Sequence, residues 1–107
     1  MRYDRFMRIL LFFDLPTITK KNIRDYNKFR KKLIRSGFYM IQESVYVKMT
    51  LDIQSANSTI SKVKLFLPPL GNVMTLIITE KQFSGIKVLL GETKSDVLNT
   101  LDRIVEL

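Results

Sequence analysis

Residues 6–13 read FMRILLFF, and Asp14-Leu15-Pro16 follows them directly. Such a run of aromatic and aliphatic side chains, closed by an aspartate and a proline, indicates a buried β-strand that ends in a turn. Successive residues of a strand project to opposite faces, and here both faces are apolar. One face carries Ile9, Leu11 and Phe13, and the other carries Leu10 and Phe12. A sheet built on this strand therefore needs cover on both sides.

The rest of the chain alternates helical and strand patterns around this stretch. The predicted elements are a helix at 20–35, strands at 38–41 and 45–51, a helix at 55–66, a strand at 72–79 and another at 86–90. Thr17 or Thr19 can cap the first helix, Ser36-Gly37 ends it, and Pro68-Pro69 ends the second. The tail after residue 95 fits either a helix or an edge strand.

This order predicts an α+β, ferredoxin-like βαββαβ fold, in which an antiparallel sheet carries both helices on one face. The other face is then bare, although its strand residues are apolar. We expect a second copy to cover it, giving a homodimer in which the C-terminal strand is exchanged or added across the interface. The alternative is a monomer whose extra strand and tail fold back over that face.

The composition fits one domain spanning residues 1–107 and excludes several site chemistries. The chain is 46% hydrophobic and 26% charged, which is typical of a globular protein, and it contains neither Cys nor His. Disulfides, the usual zinc sites and imidazole-based catalysis are therefore excluded, and carboxylates with a hard cation remain available. No apolar run approaches the length needed to cross a bilayer, so we expect a cytoplasmic protein with no membrane partner.

A formal net charge of +8 favours a polyanionic partner such as DNA or RNA. Much of this charge lies in the first predicted helix, at spacings of three and four residues that form one cationic stripe. The candidate phosphate-binding residues are Lys20, Arg24, Lys28, Lys31, Lys32 and Arg35. Arg2, Arg5 and Arg8 add charge near the start of the chain. The alternative is a solvated helix face without a ligand.

Asp14 is the candidate catalytic and metal-binding residue, because it follows a rigid apolar strand at the start of a loop. The alternative is an aspartate that only shapes the turn. One carboxylate is a poor magnesium site, but two brought together across a dimer axis could share a hydrated Mg²⁺ or another divalent cation. Phe38, Tyr39 and Tyr46 are either a platform for stacking bases or cross-strand packing.

Four segments, in this order along the chain, together form a recognisable pattern. They are FFDLPT at 12–17, the basic helix closed by Gly37-Phe38, QESVY at 42–46 and ITEKQF at 78–83. The pattern resembles the CRISPR-associated Cas2 family, most closely the version found in Cas9-type (type II-A) systems.

The resemblance implies a ferredoxin-like homodimer that bridges dimers of the Cas1 integrase and binds duplex protospacer DNA during spacer acquisition. It also implies magnesium-dependent endonuclease activity on single-stranded RNA or double-stranded DNA, as described for some members. Asp14 corresponds to the family's acidic residue, and 86–90 to the strand that joins the other subunit. Some nuclease-active members have an arginine where this chain has Met40. Asp102 and Glu106 either contact the integrase or are simply exposed to solvent.

Overall fold

The computed structural model of the chain describes residues 6–91. Its elements are β1 (Met7–Asp14), α1 (Lys20–Arg35), β2 (Tyr39–Gln42), β3 (Val45–Thr50), α2 (Ile53–Val63), a 3₁₀ turn (Lys64–Phe66), β4 (Asn72–Thr79) and α3 (Glu80–Ser84). The first helix and the predicted strands at 38–41, 45–51 and 72–79 therefore lie within one residue of where the patterns placed them, whereas residues 86–90 form no strand. The second helix begins two residues earlier than predicted, because Asp52 caps it through the backbone N–H of Ser55.

The sheet has the strand order β2-β3-β1-β4, and all neighbouring strands are antiparallel. The first strand is central, with Leu10 opposite both Val47 of β3 and Leu76 of β4. Because β1 has a neighbour on each side, its apolar residues are shielded along both edges. This topology, with α1 and α2 packed on the same face, confirms the ferredoxin-like α+β fold.

The core lies between the two helices and one face of the sheet. It contains Ile9, Leu11, Phe13, Phe29, Leu33, Phe38, Tyr46, Ala56 and Val63. Phe13 is at its centre, with ring centroids 5.7 Å from those of Phe29 and Tyr46. Phe38 and Tyr46 are buried in this core, so their rings are not accessible to bases. The prediction of a base-stacking platform is therefore wrong, and the packing alternative is confirmed for these two residues.

Both ends of α1 are closed by local sequence. Thr19 accepts a hydrogen bond from the Asn22 backbone N–H, while the Asn22 side chain accepts one from the Thr19 backbone, which completes a capping box. At the other end Gly37 adopts a φ of 97°, and the Phe38 N–H reaches back to the Leu33 carbonyl. This is a Schellman motif, which favours glycine because its backbone is left-handed.

The second face of the sheet is partly covered by the chain itself. The short helix α3, which the sequence patterns did not predict, places Phe83 in a cluster with Ile41 and Val47. Residues 86–90 continue across the face and line a groove with Leu10 and Phe12. Residues 86–90, which were predicted as a strand, form no strand and do not pair with the chain's own sheet. Whether they pair with another subunit stays a prediction.

Cover on the second face is incomplete toward β4, which is an edge strand. Met74 and Leu76 on this strand are 66% and 53% exposed. Within residues 6–91, the chain therefore covers the β2–β3 half of the face and leaves β4 open, and whether the rest is covered by the tail or by a second copy stays a prediction. The predictions for the tail after residue 95, Asp102 and Glu106 included, lie outside the described residues, as do Arg2 and Arg5. No helix within residues 6–91 is long and apolar enough to cross a membrane.

Candidate functional site

The cationic stripe predicted on α1 lies on the outer surface of that helix. Its members Lys20, Arg24, Lys28, Lys31 and Arg35 are all exposed, while Phe29 and Leu33 on the opposite side are buried. At about 100° per residue, the five cations fall within an arc of about 80°. Within residues 6–91, no ion pair or side-chain hydrogen bond engages any of them. The stripe is therefore free to bind an anion.

Lys32 is at the margin of the stripe. It is half-buried, and its Nζ atom lies 5.8 Å from the ring centroid of Phe66. A cation–π contact of this kind holds the aliphatic stem against the protein while the ammonium group stays near water. Lys32 can therefore add charge beside the stripe, although it projects toward the turn that follows α2.

Three other cations in the described part of the chain are engaged in structural contacts. Lys21 pairs with Asp25 at 3.0 Å, and Arg30 donates from Nε to the hydroxyl of Tyr46 at 2.8 Å. Lys48 donates to the carbonyl oxygen of Ser36, where a positive charge suits the C-terminal end of α1. These contacts separate cations that stabilise the fold from those that remain available.

Arg8 corrects one sequence-based expectation, since it is not part of a surface charge cluster. Its side chain belongs to the second face of the sheet and the residue is only 3% exposed. Both Nε and Nη2 of Arg8 donate to the carboxylate of Glu80, and Nη1 donates to the Tyr39 hydroxyl at 2.8 Å. The guanidinium group also lies 4.4 Å from the ring centroid of Phe83. Burial alone would lower the pKa of Arg8, but Glu80 and Tyr39 together raise it above its ordinary value. The sequence patterns did not predict these contacts of Arg8 with Glu80, Tyr39 and Phe83, which hold α3 against the sheet.

Asp14 lies at the last position of β1 and is exposed. It has the same strand parity as Leu10 and Phe12, so it belongs to the second face of the sheet, beyond the part that α3 covers. Among the described residues its carboxylate has no hydrogen bond or ion pair. The structure therefore places Asp14 and the stripe on different surfaces, and it does not bring them together within one chain.

A metal site near Asp14 is incomplete in a single chain. Within residues 6–91, no group of three or more His, Cys, Asp or Glu residues could hold a metal ion. The oxygen chemistry of an open carboxylate nevertheless fits a hard cation that keeps most of its water. Donors from a second subunit would complete the set.

Comparison with known proteins gives a match that includes the fold and both candidate sites described above. The family model for CRISPR associated protein Cas2 matches residues 7–86, which include β1, Asp14 and the whole stripe. The chain belongs to the Cas2 family. This membership confirms the resemblance found in the sequence.

The chain is similar to several proteins named CRISPR-associated endoribonuclease Cas2, including the following three. The protein of Treponema denticola is 45% identical over 94% of this chain and 100% of its own length. That of Ligilactobacillus salivarius is 44% identical over the same shares, and that of Campylobacter jejuni is 52% identical over 82% of this chain and 62% of its own. The first two relatives align over the full Cas2 fold described here.

Proposed function

We propose that this chain is a cytoplasmic CRISPR adaptation subunit, a homodimer that binds protospacer duplex DNA and bridges dimers of the Cas1 integrase. The observation that carries the proposal is the stripe of five free cations on α1. It is supported by the membership in the Cas2 family and by the apolar surface left open beside β4, which suits a second copy.

The dimensions of the stripe suit the backbone of a duplex. From Lys20 to Arg35 it extends about 22 Å at 1.5 Å per residue, whereas the major groove of B-DNA is about 12 Å wide. A cation ridge of this length can contact phosphates on both sides of a groove. Because such contacts do not involve base edges, binding is independent of sequence and strongly dependent on salt.

Charge reversal within the stripe tests duplex binding. We expect Lys28→Glu/Lys31→Glu to weaken binding of a short DNA duplex and to reduce the slope of log affinity against log salt by about two, one for each lost phosphate contact. The matched control is Lys62→Glu/Lys64→Glu, which makes the same change in net charge at two exposed lysines in and after α2. Equal weakening by both double variants would show that net charge, and not the stripe, determines affinity.

The integrase contact is tested by isolation from the native host. A tagged chain is expected to recover an integrase, identified by mass spectrometry, and its absence from repeated pull-downs under low salt would contradict the bridging role.

A second candidate function is metal-dependent cleavage of RNA or DNA, favoured by the exposed, unpaired carboxylate of Asp14 and by the printed name of the relatives. Asp14 would hold Mg²⁺ or another divalent cation, paired with its symmetry mate across the dimer. Bound there, the cation would lower the pKa of a coordinated water and neutralise charge on a phosphodiester. The contribution of the chain is to bind the phosphates and to keep the carboxylate accessible.

Asp14→Asn separates the two candidates. We expect this variant to lose cleavage of single-stranded RNA in the presence of Mg²⁺ while it binds the DNA duplex as the parent protein does. Spacer acquisition measured in cells then shows whether the Asp14 carboxylate is needed for that process. Acquisition that survives Asp14→Asn supports the adaptor role, and acquisition that is lost shows that the carboxylate is needed for that process.

A further inference from the structure

Asp14 has one direct cross-strand neighbour on its own face of the sheet, Asn72. The two residues are paired at the end of the β1–β4 ladder, where Asp14 closes β1 and Asn72 opens β4. Directly opposed residues of an antiparallel pair project to the same side, with Cβ atoms about 4.5–5.5 Å apart. Both residues are exposed, and neither side chain has a hydrogen bond or ion pair within the described range.

Gly71 secures this pairing. It adopts a φ of 103°, and a Cβ atom placed there would lie 2.7 Å from the carbonyl oxygen of Asp14 and 2.7 Å from Cδ2 of Leu15. The turn before β4 therefore approaches the end of β1 so closely that only glycine fits without a shift. Since a slip of one residue would move Asn72 to the other face, this contact keeps the amide beside the carboxylate.

We propose that Asn72 supplies a second oxygen ligand, beside Asp14, to the divalent-cation site of the chain. This inference rests on the metal-dependent cleavage proposed above. Carboxylate and amide oxygens are both ligands of hard cations. Two subunits would then offer two carboxylates and two neutral amides, so the charge of the carboxylates would balance one divalent cation while the number of ligand side chains doubles from two to four.

Binding of Mn²⁺ alone, followed by the electron paramagnetic resonance signal of the free ion, tests the proposal without any nuclease reaction. We expect Asp14→Asn to abolish measurable binding and Asn72→Ala to weaken it about tenfold. Asn72→Asp should tighten binding, because it adds a charged oxygen at the same position. The matched control is Asn57→Ala, an exposed asparagine on α2, which should bind as the parent protein does.

The opposite directions expected for alanine and aspartate at position 72 distinguish ligation from a general loss of stability, which would weaken binding in both variants. Parent-like affinity in both variants at position 72, together with lost binding in Asp14→Asn, would overturn the role of Asn72 and leave the proposed metal site intact. Parent-like affinity in Asp14→Asn would overturn the metal site itself, and the role of Asn72 with it.

Discussion

Two tyrosine hydroxyls of this protein each accept a hydrogen bond from an arginine, Tyr39 from Arg8 and Tyr46 from Arg30. Burial raises the pKa of both phenols above the ordinary value of 10.0, and the nearby guanidinium groups only partly oppose that shift. In the folded protein both hydroxyls therefore keep their protons at a pH at which the unfolded chain has lost them.

This difference predicts a loss of stability in alkali. A raised folded-state pKa stabilises the fold fully below the unfolded value and loses that contribution as the pH rises through the folded value. In that window the free energy of unfolding should fall by up to about 1.4 kcal/mol per pH unit for each tyrosine. Urea unfolding between about pH 8 and pH 11 measures it. Tyr39→Phe should flatten the decline, and a curve unchanged by that substitution would contradict the assignment.

At the scale of elements, α3 is held on the sheet by the buried Arg8–Glu80 pair, whose members are unequally buried. The Arg8 side chain is 4% exposed, while that of Glu80 is 22% exposed and can reach water. Removal of the carboxylate leaves the buried guanidinium without its ion-pair partner, whereas removal of the guanidinium leaves a carboxylate that water can solvate.

We therefore expect Glu80→Ala to cost about 3 kcal/mol of unfolding free energy and Arg8→Met clearly less. The double variant should be no less stable than Glu80→Ala alone, because it also removes the buried, unpaired guanidinium charge. Denaturant unfolding of the parent and the three variants measures these free energies as a double-mutant cycle. A larger cost for Arg8→Met than for Glu80→Ala would contradict the prediction.

The elements themselves were predictable to different extents. The strands and α1 follow from periodicity and from local caps such as Thr19 and Gly37, which act within a few residues. By contrast, α3 has five residues, too few for a periodic pattern, and its position depends on Arg8, 72 residues away in sequence. For the same reason the sequence suggested a surface role for Arg8. The exposure of the stripe and of Asp14 was predictable, but the neighbour of Asp14 required the strand register.

At the scale of the whole molecule, the apolar edge beside β4 predicts self-association. Met74→Lys/Leu76→Lys should convert a dimer into a monomer, because it places two charges on the surface that a second copy would bury. Light scattering after size exclusion distinguishes a mass of two chains from the 12.6 kDa of one. The control Leu65→Lys changes an exposed leucine outside that face and should leave the dimer intact. A parent protein that elutes as a monomer would refute the two-copy assembly.

The central position of the first strand also has a consequence for biosynthesis. Met7–Asp14 is translated some sixty residues before its neighbour Asn72–Thr79. During that interval one side of the nascent strand has no hydrogen-bonding partner and its apolar residues stay accessible to chaperones. Chains truncated before the fourth strand should therefore aggregate, and the sheet can close only after Asn72–Thr79 has been translated.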